Sequence, residues 1–124
     1  NGFYYAPDPS SQIACTIGGN VAENSGGVHC LKYGLTANNL LGLEFVTMEG
    51  EVMRIGGRHL DSGGYDILGM ITGSEGLLGI ITEVTVRILQ KPSTARALLI
   101  AFPTAGEGGK CVGMSAIPLM PNPC

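Results

Sequence analysis

A chain of 124 residues is long enough for one modest domain with a core of its own. Apolar residues make up 44%, charged residues only 14%, and the formal net charge is -3. These totals argue against disorder and against non-specific nucleic-acid binding, and no basic run appears. So low a charge fraction fits a piece covered by other protein.

No apolar stretch reaches about 18 residues, so no membrane span is expected. The chain opens at Asn1 with neither a charged nor an apolar leader, which leaves a fragment or a processed start as the two readings. The 20 glycines do not recur every third residue, so a collagen-like chain is excluded. Cys15, Cys30, Cys111 and Cys124 form no C-x-x-C pair. They read as reduced thiols of a cytoplasmic protein, not as a zinc site.

In chain order, "APDPSSQ" (6–12) is a turn-rich opening, where Pro7 and Pro9 fix the backbone and Asp8, Ser10 and Ser11 offer oxygens to local amides. "TIGGNVAENSGG" (16–27) pairs its glycines and predicts a short helix over 18–24 that opens on a Gly18-Gly19 turn, with positive φ at Gly19. "GLEFVTMEGEVMRIG" (42–56) predicts a hairpin. Leu43, Phe45 and Thr47 share one face, Glu49-Gly50 turns, and Val52 and Ile55 return. "YDILGMIT" (65–72) predicts a short, mostly buried helix, capped by Asp66 and ended by Gly73. "GIITEVTVRIL" (79–89) predicts a strand that alternates Ile81, Glu83, Thr85 and Arg87 against Thr82, Val84, Val86 and Ile88. "ARALLIAF" (95–102) predicts another buried strand, and the Gly- and Pro-rich remainder a divergent tail. The fold class expected is α+β: a small, mostly antiparallel sheet flanked by helices.

A glycine-rich turn at a helix start suits a phosphate. Two familiar phosphate motifs fail. "AGEGGKC" has Thr104 and Cys111 where a P-loop needs Gly and Ser or Thr. "GSEGLLG" has the wrong spacing for a Rossmann fingerprint and precedes its strand.

The blocks "PDPSS", "CTIGGNVAENSGG", "KYG" and "GSEGLLGIIT" together resemble the FAD-binding domain of the vanillyl-alcohol oxidase (PCMH) type, in particular that of glycolate oxidase D subunits and D-2-hydroxyacid dehydrogenases. The resemblance implies that residues 1–102 form the second half of such a domain, and that 103–124 are a divergent tail or the truncated start of a cap. It implies an upstream half-domain and a downstream cap outside this chain. It implies FAD beside Gly18, Gly19, Asn20, Glu23, Asn24, Ser25 and Gly26, with Asp8, Pro9, Ser10 and Cys15 as a second lining stretch. It implies that Gly79 lines the cofactor and that Ile80 offers its main chain to adenine while its side chain serves the core; Glu75 orients the adenosine end or caps its turn or is solvated, and the residues leave these open. Tyr33 packs on the cofactor or is a half-buried tyrosine with a bonded hydroxyl; the residues leave both open. His29 and His59 have no metal-ligand spacing and read as structural, Asp61 flanks "SGGY", and no general base and no metal ligand is assigned.

The activity so implied is oxidation of a small 2-hydroxyacid, of the glycolate or D-lactate type, to the 2-oxoacid. Electrons leave to a partner subunit or acceptor. The alternative is a non-catalytic fragment that binds nucleotide weakly or serves as an interaction module.

Overall fold

The computed structural model describes residues 2–58, 63–94 and 97–116. His59, Asp61 and Cys124 lie outside them. Two antiparallel sheets and short helices make up the described part, so the expected α+β class and antiparallel pairing are both found.

The central strand is β2 (Leu40–Val46), with β3 (Val52–Gly56) on one side and β4 (Ile80–Val86) on the other. β2 and β3 are the expected hairpin, closed at Gly50 with φ +84°. Leu43 and Phe45 are buried as anticipated. Thr47, however, lies past the strand, where its carbonyl accepts from Gly50 N at 3.0 Å, and Val52 is exposed on the outer strand.

Strict alternation fails along β4 for a definable reason. The register passes from Glu44↔Glu83 directly to Phe45↔Ile81, so Thr82 is an extra residue in a β-bulge. The bulge shifts the phase by one, and Ile81 and Val84 both pack on the core although they stand three residues apart. Leu41 plays the same part in β2, since the pairing passes from Leu40↔Val86 to Gly42↔Thr85. Leu40 and Leu43 thereby share the buried side.

Helix α1 (Ile17–Ala22) lies against β4, and α3 (Ile67–Ile71) approaches β3. Val21 from α1 and Ile71 from α3 complete a core with Leu40, Leu43 and Phe45. Asp66 caps α3 as expected, its Oδ1 accepting from Gly69 N at 2.8 Å. The helix is less buried than expected: Ile71 alone is fully enclosed, while Ile67 and Met70 face outward. Glu44 pairs across strands with both Arg54 and Glu83 and is bridged to Arg54 at 2.6 Å. Hydrogen bonds from Thr82 first, and then from Arg54, hold the Glu44 carboxyl below the usual range.

A second pair, β1 (Phe3–Tyr4) with β5 (Leu89–Gln90), ties residues 2–4 to the segment after β4. Between them run α2 (Cys30–Tyr33) and the 3-10 turn Ala37–Asn39. Asn39 is buried and donates from Nδ2 to the carbonyls of Tyr33 and Leu35 at 2.8 and 2.9 Å, which fixes the chain's path into β2.

The strand expected over 95–102 is absent from residues 97–102, where Leu98 and Leu99 stand in solvent. Residues 95 and 96 lie outside the described set. Strand propensity alone cannot hold such a segment when no neighbouring strand takes its amides. Beyond it, the expected tail contains a helix, α4 (Ala105–Ala116). Thr104 caps it, with Oγ1 accepting from Glu107 N at 3.3 Å, and Ser115 Oγ donates to the Cys111 carbonyl at 2.8 Å.

Candidate functional site

The "TIGGNVA" stretch is read by the fold differently from a turn followed by a helix. Thr16 is the N-cap: its backbone is extended and Oγ1 accepts from Gly19 N at 3.0 Å. Gly18 and Gly19 therefore occupy the first turn of α1, and Gly19 is not a positive-φ residue. The local rule that Ser or Thr caps a helix start outweighs the expectation that paired glycines form a turn.

At its far end α1 meets the turn that follows α3. Gly73 N donates to the Val21 carbonyl and Glu75 N to the Ala22 carbonyl, both at 2.9 Å. The Ala22 carbonyl, left free where the helix stops, is thus satisfied by another segment, and the Val21 carbonyl, which also accepts from Asn24 N at 3.1 Å, gains a second donor. Residues 73 to 79 then wind through Gly73, Glu75, Gly76 and Gly79, all at positive φ, before β4 begins.

The result is a cleft of about 250 Å³ between α1 and the start of β4, lined by Thr16, Gly18, Gly19, Ala22, Gly76, Gly79, Ile80 and Ile81. It joins two blocks more than fifty residues apart in sequence. Its walls are mostly backbone, and among the described residues no charged side chain lines it. Such a slot receives a flat or extended group through main-chain contact and excludes nothing by charge.

Not every glycine here is explained by a ligand. A Cβ at Gly79 would stand 2.5 Å from the Val46 carbonyl oxygen and 2.9 Å from the Phe45 ring, so β2 itself requires glycine. At Gly18 it would stand 3.1 Å from the Ile81 carbonyl oxygen, the contact that lets α1 lie on β4. Gly19 differs. Among the described residues a Cβ there would meet only the Thr16 hydroxyl, at 3.1 Å. Chain packing gives little reason for a glycine at that position.

Of the residues singled out in sequence, Gly18, Gly19, Gly79 and Ile80 line the cleft, and Glu75 sits in the turn beside it. The Ile80 side chain is 72% exposed, which overturns its expected place in the core; it stands at the cleft mouth instead. Thr16, Ala22, Gly76 and Ile81 line the same cleft without having been singled out. For Thr16 the missed signal was its N-cap position.

The remaining candidates gather elsewhere. Pro9 forms an isolated antiparallel bridge with Gly27, which brings the Asp8–Ser10 turn beside Ser25 and Gly26. That turn is closed by main-chain bonds, such as Gln12 N to the Pro9 carbonyl at 3.0 Å and Cys15 N to the Ser11 carbonyl at 2.9 Å, in place of the side-chain oxygens expected. Asp8 and Asn24 both hold positive φ. Asn24 Oδ1 accepts from Ala37 N at 2.9 Å, and the Ser25 carbonyl accepts from Thr36 Oγ1 at 2.7 Å. A Cβ at Gly26 would meet the ends of the Leu35 and Cys30 side chains, at 2.6 and 2.7 Å, which would have to shift. Glu23 is exposed, whereas Asn20 is only 6% exposed.

His29 Nδ1 lies 3.1 Å from the Ala6 carbonyl. A carbonyl only accepts, so that nitrogen carries the proton and the ring is a structural donor, as expected. Tyr33 meets the rings of Tyr4 and His29 edge-on. Burial pushes the Tyr5 phenol up, and its enclosed hydroxyl finds no partner among the described residues. Thr36, which would offset this, donates to Ser25 instead. Cys15, Cys30 and Cys111 are free thiols. Among the described residues no three His, Cys, Asp or Glu side chains converge on a metal position, and no helix is long and apolar enough to cross a membrane.

Comparison with known proteins adds the family context. Residues 1–56 match the family model described as FAD binding domain. The chain is 62% identical over 110 residues to glycolate oxidase subunit GlcD of Escherichia coli K12, covering 89% of this chain and 22% of that protein. It is 38% identical over 122 residues to D-lactate dehydrogenase of Archaeoglobus fulgidus, covering 98% of this chain and 27% of that one. A solved structure of alkyldihydroxyacetonephosphate synthase superposes with a TM-score of 0.64 at 31% identity, over 75% of this chain and 16% of that chain. The chain thus spans about a quarter of the length of these relatives or less.

Proposed function

We propose that this chain, whose residues 1–56 match the family model described as FAD binding domain, forms one wall of the flavin site in an FAD-dependent oxidoreductase that converts a small 2-hydroxyacid to its 2-oxoacid. The observation that carries the reading is the cleft between α1 and β4. It unites Gly18 and Gly19 with Gly76, Gly79 and Ile80 around an open slot, and Gly19 is small without the fold requiring it. A cleft of about 250 Å³ is below the usual range for a whole ligand site. It suits part of a long cofactor, with the rest held by an upstream half-domain.

In this reading Thr16, Gly18, Gly19, Gly76, Gly79 and Ile80 hold FAD by close backbone approach. The Asp8–Ser10 turn, Cys15 and the Asn20–Gly26 stretch line its continuation, and Glu75 orients the adenosine end. Bound flavin supplies the hydride acceptor; the residues of this chain position it and keep water from one face. Residues 1–102 are assigned to the second half of the domain, and 103–124 to a divergent tail or the truncated start of a cap. Relatives named glycolate oxidase and D-lactate dehydrogenase support the 2-hydroxyacid class. A cytoplasmic location and electron transfer to a partner subunit or acceptor complete the proposal.

The test is flavin retention in the longer protein. Gly19→Val sets two methyls into the slot and should strip flavin from a protein whose far-UV spectrum is unchanged. A purified variant with the full flavin absorbance would overturn the assignment. The isolated chain, with one wall only, should bind FAD more weakly than about 1 μM, so a submicromolar Kd by flavin fluorescence would contradict the one-wall reading.

A further inference from the structure

The Asn24–Gly27 loop, which the flavin reading assigns to the cofactor, is tied from behind by a corner of the chain at residues 33–39. Thr36 supplies two of the ties: its N–H and its Oγ1 both donate to the Ser25 carbonyl, at 3.1 and 2.7 Å. Ala37 N adds a third at the Asn24 side chain, whose Oδ1 accepts at 2.9 Å. Asn24 holds φ +48°, a conformation that favours glycine, and this tie supports it there. The corner is itself cross-tied. Asn39 N donates to the Thr36 carbonyl at 2.9 Å, Leu35 N donates to Asn38 Oδ1 at 2.9 Å, and Arg87 N, just past β4, donates to the Asn39 carbonyl at 2.8 Å. The sheet thus reaches the loop through Asn39 and Thr36. Thr36 is only 1% exposed, so its contacts are with the chain and not with a ligand.

We propose that Thr36 is a positioning residue for the flavin site, one that presets the Asn24–Gly27 loop before the cofactor arrives. The proposal rests on the flavin reading above. Two donors on one carbonyl fix the plane of the peptide that joins Ser25 to Gly26. That peptide is trans, so the Gly26 N–H points opposite to the carbonyl, away from Thr36 and the corner. Thr36 thereby aims a backbone donor that it does not itself carry. A loop free to move would have to be ordered on binding, and that ordering weakens affinity. A loop already clamped has lost its freedom in folding.

The test is made on the longer protein with two readouts. Thr36→Val keeps the side-chain shape and the N–H and removes only the hydroxyl bond. Without flavin it should speed hydrogen exchange at the Ser25 and Gly27 amides by roughly tenfold and leave the amides of β2 and β4 unchanged. Asn24→Gly removes the other tie at a φ that glycine accepts, and it should speed the same amides. With flavin, Thr36→Val should raise the FAD Kd roughly threefold to tenfold and alter the visible band of the bound flavin, while Thr36→Ser, which keeps the hydroxyl, restores both. Ile55→Val, a mild change at a residue packed on the core, should lower Tm without moving the Kd. Unchanged exchange at Ser25 and Gly27, parent-like FAD binding by Thr36→Val, or an equal rise in Kd for Ile55→Val would each overturn the proposal. The flavin reading fails separately. Full flavin in Gly19→Val sinks that reading and this proposal with it, whereas a stripped Gly19→Val beside a Thr36→Val that binds as the parent does sinks this proposal alone.

Discussion

Two segments of this chain are about equally rich in glycine, and they use it in opposite ways. Residues 73–79 hold Gly73, Gly76 and Gly79, all at positive φ, in a turn that caps α1 and launches β4. Helix α4 holds Gly106, Gly108, Gly109 and Gly113, none at positive φ and none crowded by backbone. In the first segment glycine is what the backbone conformation demands. In the second it weakens a helix that other residues would form better, each glycine costing about 1 kcal/mol relative to alanine. Glycine content therefore does not mark a functional site; conformation and close approach do.

The sharpest way to break this comparison is Gly79→Ala. The new methyl would fall on the Val46 carbonyl and the Phe45 ring, at the end of the central strand. Backbone strain and overpacking together should cost about 3 kcal/mol. Urea unfolding should show a lower midpoint with an unchanged slope. A variant within about 0.5 kcal/mol of the parent would mean that β2 and β4 do not approach as described.

Gly76→Ala separates the two causes. Nothing among the described residues lies within reach of a Cβ there, but φ is +79°. Only the conformational cost applies, about 1–2 kcal/mol. The same unfolding measurement should place it between Gly79→Ala and the parent, and a cost equal to that of Gly79→Ala would reveal a neighbour that this geometry lacks.

The comparison also explains which parts of the molecule could be read from residues alone. The hairpin was legible because Leu43 and Phe45 alternate and Glu49-Gly50 is turn chemistry, and α3 was legible from Asp66 and Gly73. The bulges at Thr82 and Leu41 were not, because an extra residue shifts the phase without leaving a composition signal. Residues 95–102 read as a strand from their apolar character, yet pairing depends on a neighbour that no local pattern encodes. Gly18, Gly19, Gly79 and Ile80 were found in sequence through resemblance, and their convergence on one cleft rests on α1 crossing β4, a long-range fact. Thr16 carries a weaker local signal, because its cap position one residue before the helix stands next to a glycine pair that favours a turn.

The smallest effect expected has the opposite sign, and it tests the other half of the comparison. Gly113 lies in the second half of α4, with no described residue within 4 Å of where a Cβ would stand and no positive φ. Alanine there removes backbone freedom from the unfolded chain and adds no contact that must be accommodated. Gly113→Ala should therefore stabilise the helix by about 0.5–1 kcal/mol, seen as a deeper far-UV helix signal and a Tm higher by roughly 3–5 °C where α4 melts with the rest. Loss of stability instead would show that another surface packs closely on Gly113 in the working protein. The glycines of α4 would then belong with those of 73–79, as places where something must come near.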